Sequence, residues 1–230
     1  MRVTIERVVD DPNVVGEFLD LYRTAFAPLE SIAAARQSLT DDEFREELAE
    51  ESVLKFVGRD RDDRIVAMCL LANDLSQLPW LSPAFWHQRY PDQFERNAIY
   101  YVGAILVSPS VKGGMWFPRL LIETIRYVAA RRGVGALDVC RHNAEDVNLP
   151  RIVAEVSASL AEVEVEHVDT QSYWAYVYSG LKSKGAPATP ERPVPAAADE
   201  IDLRPPAAST ISDEIDLRET SPELEEVRER

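Results

Sequence analysis

The chain is short of cysteine, short of positive charge, and without any long apolar run. Only Cys69 and Cys140 are present among 230 residues, each inside an apolar strand-like stretch. That pattern fits reduced, packed thiols and excludes both a disulfide framework and a structural zinc site. Lys and Arg number 25 against 40 Asp and Glu, for a net charge of −15. A field of that sign repels phosphate backbones and anionic membrane surfaces, so neither nucleic acid nor membrane is expected as a partner. No apolar run approaches the roughly 20 residues that cross a bilayer, and "MRVTIERVVDD" has no apolar signal core, so the expected location is cytoplasmic.

What is present reads as one core with an appendage: 46% of residues are hydrophobic, in keeping with a globular protein. The composition divides the chain at about residue 180, giving a domain over 1–180 and a tail over 181–230. In the tail aromatics vanish and seven of the 15 prolines fall among charged and Ala-rich segments. The tail repeats "DEIDLR" at 199–204 and 213–218, setting Ile201 and Leu203, then Ile215 and Leu217, on one face of an extended strand. It is read either as solvated low-complexity sequence or as a docking arm used twice on a partner or a neighbouring subunit.

Within 1–180 the elements alternate. "RVTIERV" has strand period, and 14–26 sets Val15, Phe18, Leu19, Tyr22 and Phe26 on one helical stripe. Ser38 or Thr40 caps a helix over 41–51 whose acidic first turn suits the helix dipole. Two strands flank the turn at Arg61-Asp62-Asp63, and 98–108 is a long apolar strand. Phe117, Leu120, Leu121, Thr124, Ile125 and Val128 mark the buried face of the next helix, which ends near Gly133. A strand over 135–141, a helix over 149–160 and one or two final strands over 163–179 complete a βααβββαβαβ order. Such an order predicts an α/β (α+β) domain with a mixed central sheet.

The junction "ILVSPSVKGGMWFPRLL" drives the long strand through Pro109 into a Lys112-Gly113-Gly114 turn and a helix. A helix N-terminus supplies unpaired N–H donors and about half a positive charge, and glycine lets phosphate oxygens approach the backbone. The alternative reading is a plain strand-to-helix turn, with Trp116 and Phe117 as core residues.

With this junction and element order, residues 2–180 resemble the GNAT superfamily of acyl-CoA-dependent N-acyltransferases. The resemblance implies a GNAT-like fold, acetyl-CoA or another acyl-CoA as cofactor, and an amine acceptor on a small molecule or a protein. It implies a pyrophosphate site from Leu106, Val107, Lys112, Gly113, Gly114, Met115, Trp116 and Phe117. The family pattern has glycine where Met115 stands and a small residue where Phe117 stands. The family's tyrosine acid has no counterpart at the usual distance in "RHNAEDVNLPRIVAEV", where Asn143 or Asn148 matches its asparagine. His142 is the candidate substitute acid, and Glu145 or Asp146 the candidate base. Tyr173 and Tyr176 are read as core or rim residues that also have the option of reaching the thioester.

The segment 77–97 concentrates two Trp, two Phe and a Tyr among three prolines. The prolines prevent a regular helix throughout it, and its aromatics require burial against a cleft, a partner subunit or its own sheet. His87 within it has no companion ligand and points to no metal. Two functions remain open: an N-acyltransferase acting on an amine, or a catalytically degenerate GNAT-like module that binds through the aromatic segment and the tail.

Overall fold

A computed structural model describes residues 2–111 and 113–178. The expectations for Lys112 and for the tail fall outside the described residues. The sheet has five strands in the order β1-β2-β3-β4-β5: β1 (Arg2–Glu6), β2 (Val53–Arg59), β3 (Ile65–Ala72), β4 (Ile99–Val107) and β5 (Val134–Ala136). The first four pair antiparallel and β5 joins β4 in parallel, so the sheet is mixed as expected.

One face carries α1 (Pro12–Phe26) and α2 (Asp41–Ala49). The helical stripe places Phe18, Leu19 and Tyr22 in the core, with Val15 and Phe26 packed at its margin. Asp11 caps α1 by accepting from the Asn13 and Val14 amides, and Thr40 and Glu43 form a reciprocal capping box on α2. The other face carries α5 (Trp116–Ala130), against which α6 (Leu149–Leu160) packs. The buried residues of α5 include Trp116, Leu120, Leu121, Thr124 and Tyr127, whereas Phe117, Ile125 and Val128 are only half-buried. The two largest aromatics, Trp116 and Tyr127, therefore turn the helix by part of a residue from the predicted stripe.

The 77–97 segment, expected as a loop with no regular helix throughout it, contains two short helices separated at Tyr90. Pro83 and Pro91 open the short helices α3 (Pro83–Arg89) and α4 (Pro91–Glu95), at the first-turn position where the missing N–H is not needed. Trp86 enters the core cluster that also contains the α1 stripe, and Tyr90 and Phe94 pack at its margin. Leu78 and Trp86 of the segment are thus buried on the chain's own sheet, whereas Trp80 and Phe85 stay exposed. His87 lies 3.2 Å from Glu95.

The C-terminal expectations are corrected twice. The strand expected over 135–141 is three residues long, and 163–178 forms no strand. Val168 packs at the core margin, while Tyr173 and Tyr176 are 59% and 74% exposed, not core or rim residues. Period-2 apolar pattern defines a strand only if a neighbour supplies backbone partners, and among the described residues none pairs with this segment. Cys69 is buried in β3, where burial pushes its thiol up to about 12, and Cys140 is half-buried in coil.

Candidate functional site

β4 positions the site. Its pairing with β3 jumps from Leu71↔Val102 to Leu70↔Ala104, leaving Gly103 as an extra residue. This bulge reverses the side-chain alternation: Ile99 and Tyr101, then Ala104 and Leu106, face the α1 side, whereas Tyr100 and Val102, then Ile105 and Val107, face α5. The pairing of β4 with β5 ends at Tyr101↔Ala136. β4 runs on to Val107, and among the described residues no strand covers its β5-side edge over that length. Six residues of strand correspond to about 20 Å of open backbone edge.

At the end of that edge the chain turns. Val66 accepts from the Ser108 amide at 2.7 Å, which holds β4 to the sheet up to the turn. The Ser108 and Ser110 hydroxyls are 2.8 Å apart, and the Val111 amide donates to the Ser108 carbonyl at 3.0 Å. Gly113 takes φ +85°, a conformation that L side chains rarely adopt, and a Cβ placed there would meet nothing within 4 Å. Gly113, Gly114 and Met115 are exposed. Among the described residues no backbone acceptor lies within reach of the Met115, Trp116 or Phe117 amides, and Met115 caps α5 without a side-chain bond. The turn therefore presents N–H donors with no acceptor among the described residues at the positive end of a 15-residue helix.

Trp116 anchors this turn from below. Its ring lies over Gly58 of β2, where a Cβ would stand 2.8 Å from two ring carbons. Leu106 is buried towards α1, Val107 is half-buried on the α5 face, and Phe117 is half-buried beside Trp116. The core role of Trp116 and the open face of Gly113 coexist, because adjacent residues at a helix start point in different directions.

His142 and Glu145 share a single π-helical turn (His142–Asp146) that follows the unpaired run 137–140. His142 Nδ1 lies 2.7 Å from Asp146 Oδ2, and Arg141 Nε lies 3.4 Å from Glu145 Oε2. Asp146 therefore orients the imidazole, while Glu145 is tied to a cation. Asn148, at φ 58°, turns the chain into α6. A further pair went unread in the sequence. Tyr101 on β4 donates its hydroxyl to Asp138 Oδ1, just where β5 leaves β4, and burial and the adjacent carboxylate both raise the phenol's pKa. No local motif links residues 37 positions apart, so no sequence signal pointed to them.

Among the described residues no group of His, Cys, Asp and Glu is arranged to hold a metal ion. None of their helices is long and apolar enough to cross a membrane.

No family model matches the chain, and no curated protein matches it. Solved structures similar to it include the BH1408 protein from Bacillus halodurans, at 13% identity and TM-score 0.43, covering 74% of this chain and 99% of that one. An aminoglycoside acetyltransferase from an uncultured soil metagenomic sample matches at 15% identity and TM-score 0.42, covering 74% and 97%. The ribosomal-protein-S18-alanine N-acetyltransferase from Escherichia coli matches at 16% identity and TM-score 0.41, covering 64% and 74%. At TM-scores of this size, what the turn can do rests on the chain's own geometry.

Proposed function

We propose that the protein is an acyl-CoA-dependent N-acyltransferase that transfers an acyl group, acetyl in the simplest case, to an amine on a small molecule or a protein. The observation that carries the reading is the junction of an open β4 edge with the Gly113 turn. An elongated ligand with an anion at one end and amides along its arm matches that junction. The anion takes the N–H groups at the start of α5, and the amides pair with the uncovered backbone of Val102 to Val107 as an added strand would. Gly113 admits the phosphate because no side chain occupies its approach. Lys112 adds charge from the same turn.

The thioester of the bound acyl-CoA supplies the electrophilic carbonyl. The amine's lone pair would form the C–N bond as the C–S bond breaks, coenzyme A would leave as its thiolate and take up a proton to become the thiol, and the nitrogen would give up a proton. His142, its ring oriented by Asp146, is the proton acceptor in this reading, and Glu145 sets the charge around it through Arg141.

A second reading, a binding module with the same turn but no turnover, is favoured by Met115 and Phe117, the large residues at the positions where the family pattern has small ones. Titration calorimetry with coenzyme A tests the shared premise. The unmutated protein should bind, and Gly113→Val should weaken binding at least tenfold, because Val is strained at φ +85° and fills the phosphate approach. Lys112→Ala should weaken binding only modestly, since the backbone donors remain. Absence of binding by the unmutated protein at millimolar coenzyme A would overturn both readings. Binding without acyl transfer to any of a panel of amines would leave the module.

A further inference from the structure

Several nearby carboxylates have basic partners: Glu145 has Arg141, Asp146 has the His142 ring, and Glu155 has Arg151. Asp138 is different. Among the described residues its only side-chain partner is a neutral donor, the hydroxyl of Tyr101. Tyr101 is 2% exposed and Asp138 is exposed, so a buried phenol holds Oδ1 of an exposed residue and leaves Oδ2 with no partner among the described residues. Trp80 meets the same phenol, its side chain hydrogen-bonded to the Tyr101 hydroxyl and its ring centroid 6.4 Å from that of Tyr101, and is 53% exposed. All three border the point where β5 leaves β4, deeper along the strand than the Gly113 turn.

An oriented carboxylate with one free oxygen, beside an accessible indole, is complementary to an organic ammonium. The carboxylate supplies opposite charge, and the indole face supplies a cation–π contact for an ammonium within about 6 Å of its ring. A metal ion finds only one carboxylate there, and an anion finds a like charge. We propose that Asp138 and Trp80 bind the ammonium group of a cationic amine, with Tyr101 as the positioning residue that fixes Asp138. Identifying that amine as the acyl acceptor rests on the acyltransferase reading above. The ammonium subsite itself does not.

The test uses the full chain and n-butylammonium as probe, with n-butanol as the neutral control, following the indole N–H proton resonance assigned through Trp80→Phe. The ammonium should shift this resonance saturably and the alcohol should not. Asp138→Asn should raise the half-saturating concentration at least fivefold, and Tyr101→Phe should raise it severalfold with Asp138 intact. Asp138 is exposed, so its variant retains the fold. For Tyr101→Phe, which is in the core, an unchanged fold is verified by its spectrum, and Asp138→Glu serves as the second variant, with partial recovery of binding relative to Asp138→Asn. An Asp138→Asn protein that titrates like the unmutated chain, or an equal response to butanol, overturns the proposal. Coenzyme A calorimetry on the same sample separates the two levels. Ammonium binding without coenzyme A binding removes the acyltransferase reading and keeps the subsite, whereas coenzyme A binding with an Asp138-independent ammonium response removes the subsite and keeps the acyltransferase.

Discussion

Gly58→Ala tests whether Trp116 couples the sheet to the turn. The new Cβ would stand 2.8 Å from Cε3 and Cζ3 of Trp116 and 3.1 Å from the Ala67 Cβ. Ordinary carbon contacts begin near 3.5 Å, so the indole must move by more than half an ångström. It has little room, because Trp116 is buried and begins α5. Overpacking of this kind costs about 1–3 kcal/mol. Replacing a glycine also narrows the unfolded ensemble, which offsets about 0.4–1 kcal/mol of that. The expected net loss is about 1–2 kcal/mol, or a fall of a few degrees in Tm. Trp116→Leu alone should destabilise by about 2–4 kcal/mol through the cavity it opens. In the double variant the clash disappears, so its loss should be smaller than the sum by about 1 kcal/mol or more. Urea denaturation of the four proteins, with m-values compared, measures this coupling. A Gly58→Ala protein as stable as its parent, or strictly additive losses, would refute the packing argument. If coenzyme A binds at the turn, Gly58→Ala should also weaken its binding, since the Met115 to Phe117 amides ride on the displaced ring.

Lys55 is fully enclosed in β2, its ammonium donating to the Arg7 carbonyl at 2.8 Å and the Glu50 carbonyl at 2.6 Å, and desolvation lowers its pKa to about 8. The unfolded chain therefore holds this proton more tightly, and the lysine's contribution to the unfolding free energy should rise as pH increases from about 8 towards the ordinary lysine value, by no more than about 2 kcal/mol after allowance for residual solvation. The buried Cys69 thiol, raised to about 12, opposes it as pH passes the ordinary thiol value. Lys55→Met should flatten that rise in denaturation curves taken between pH 8 and pH 9.5, below the range where tyrosines titrate; an unchanged slope would place its origin elsewhere. Truncation after Gly180 should leave Tm unchanged, because the last described core contact is made by Val168. A markedly lower Tm would show that the tail belongs to the fold, and capture of the same partners by the truncated chain would remove its docking role.

The sheet and its helices were legible because their signals are local. The Thr40–Glu43 capping box, the stripe through Phe18, Leu19 and Tyr22, and the apolar run of β4 each combine neighbouring residues with the period of one element. The Gly113 turn was legible for the same reason, as a positive φ is written in residue type. Prolines in 77–97 were misread as helix breakers, since a proline that opens a helix and one that interrupts it look alike until the cap is known, and here Ser82 accepts from the Phe85 amide. Residues 163–178 alternate like a strand, but pairing is a property of two segments, and the tertiary structure supplies no partner. It was also the tertiary structure that made Gly103 a bulge, so that Tyr101 and Ala104 share a face, and that brought Asp138 to the Tyr101 hydroxyl. By itself the sequence determined the first four strands and the helices α1, α2, α5 and α6, and the strand-to-helix turn at Gly113. The register of β4 and the early departure of β5 decided which side chains border the open β4 edge, because they depend on contacts between distant parts of the chain.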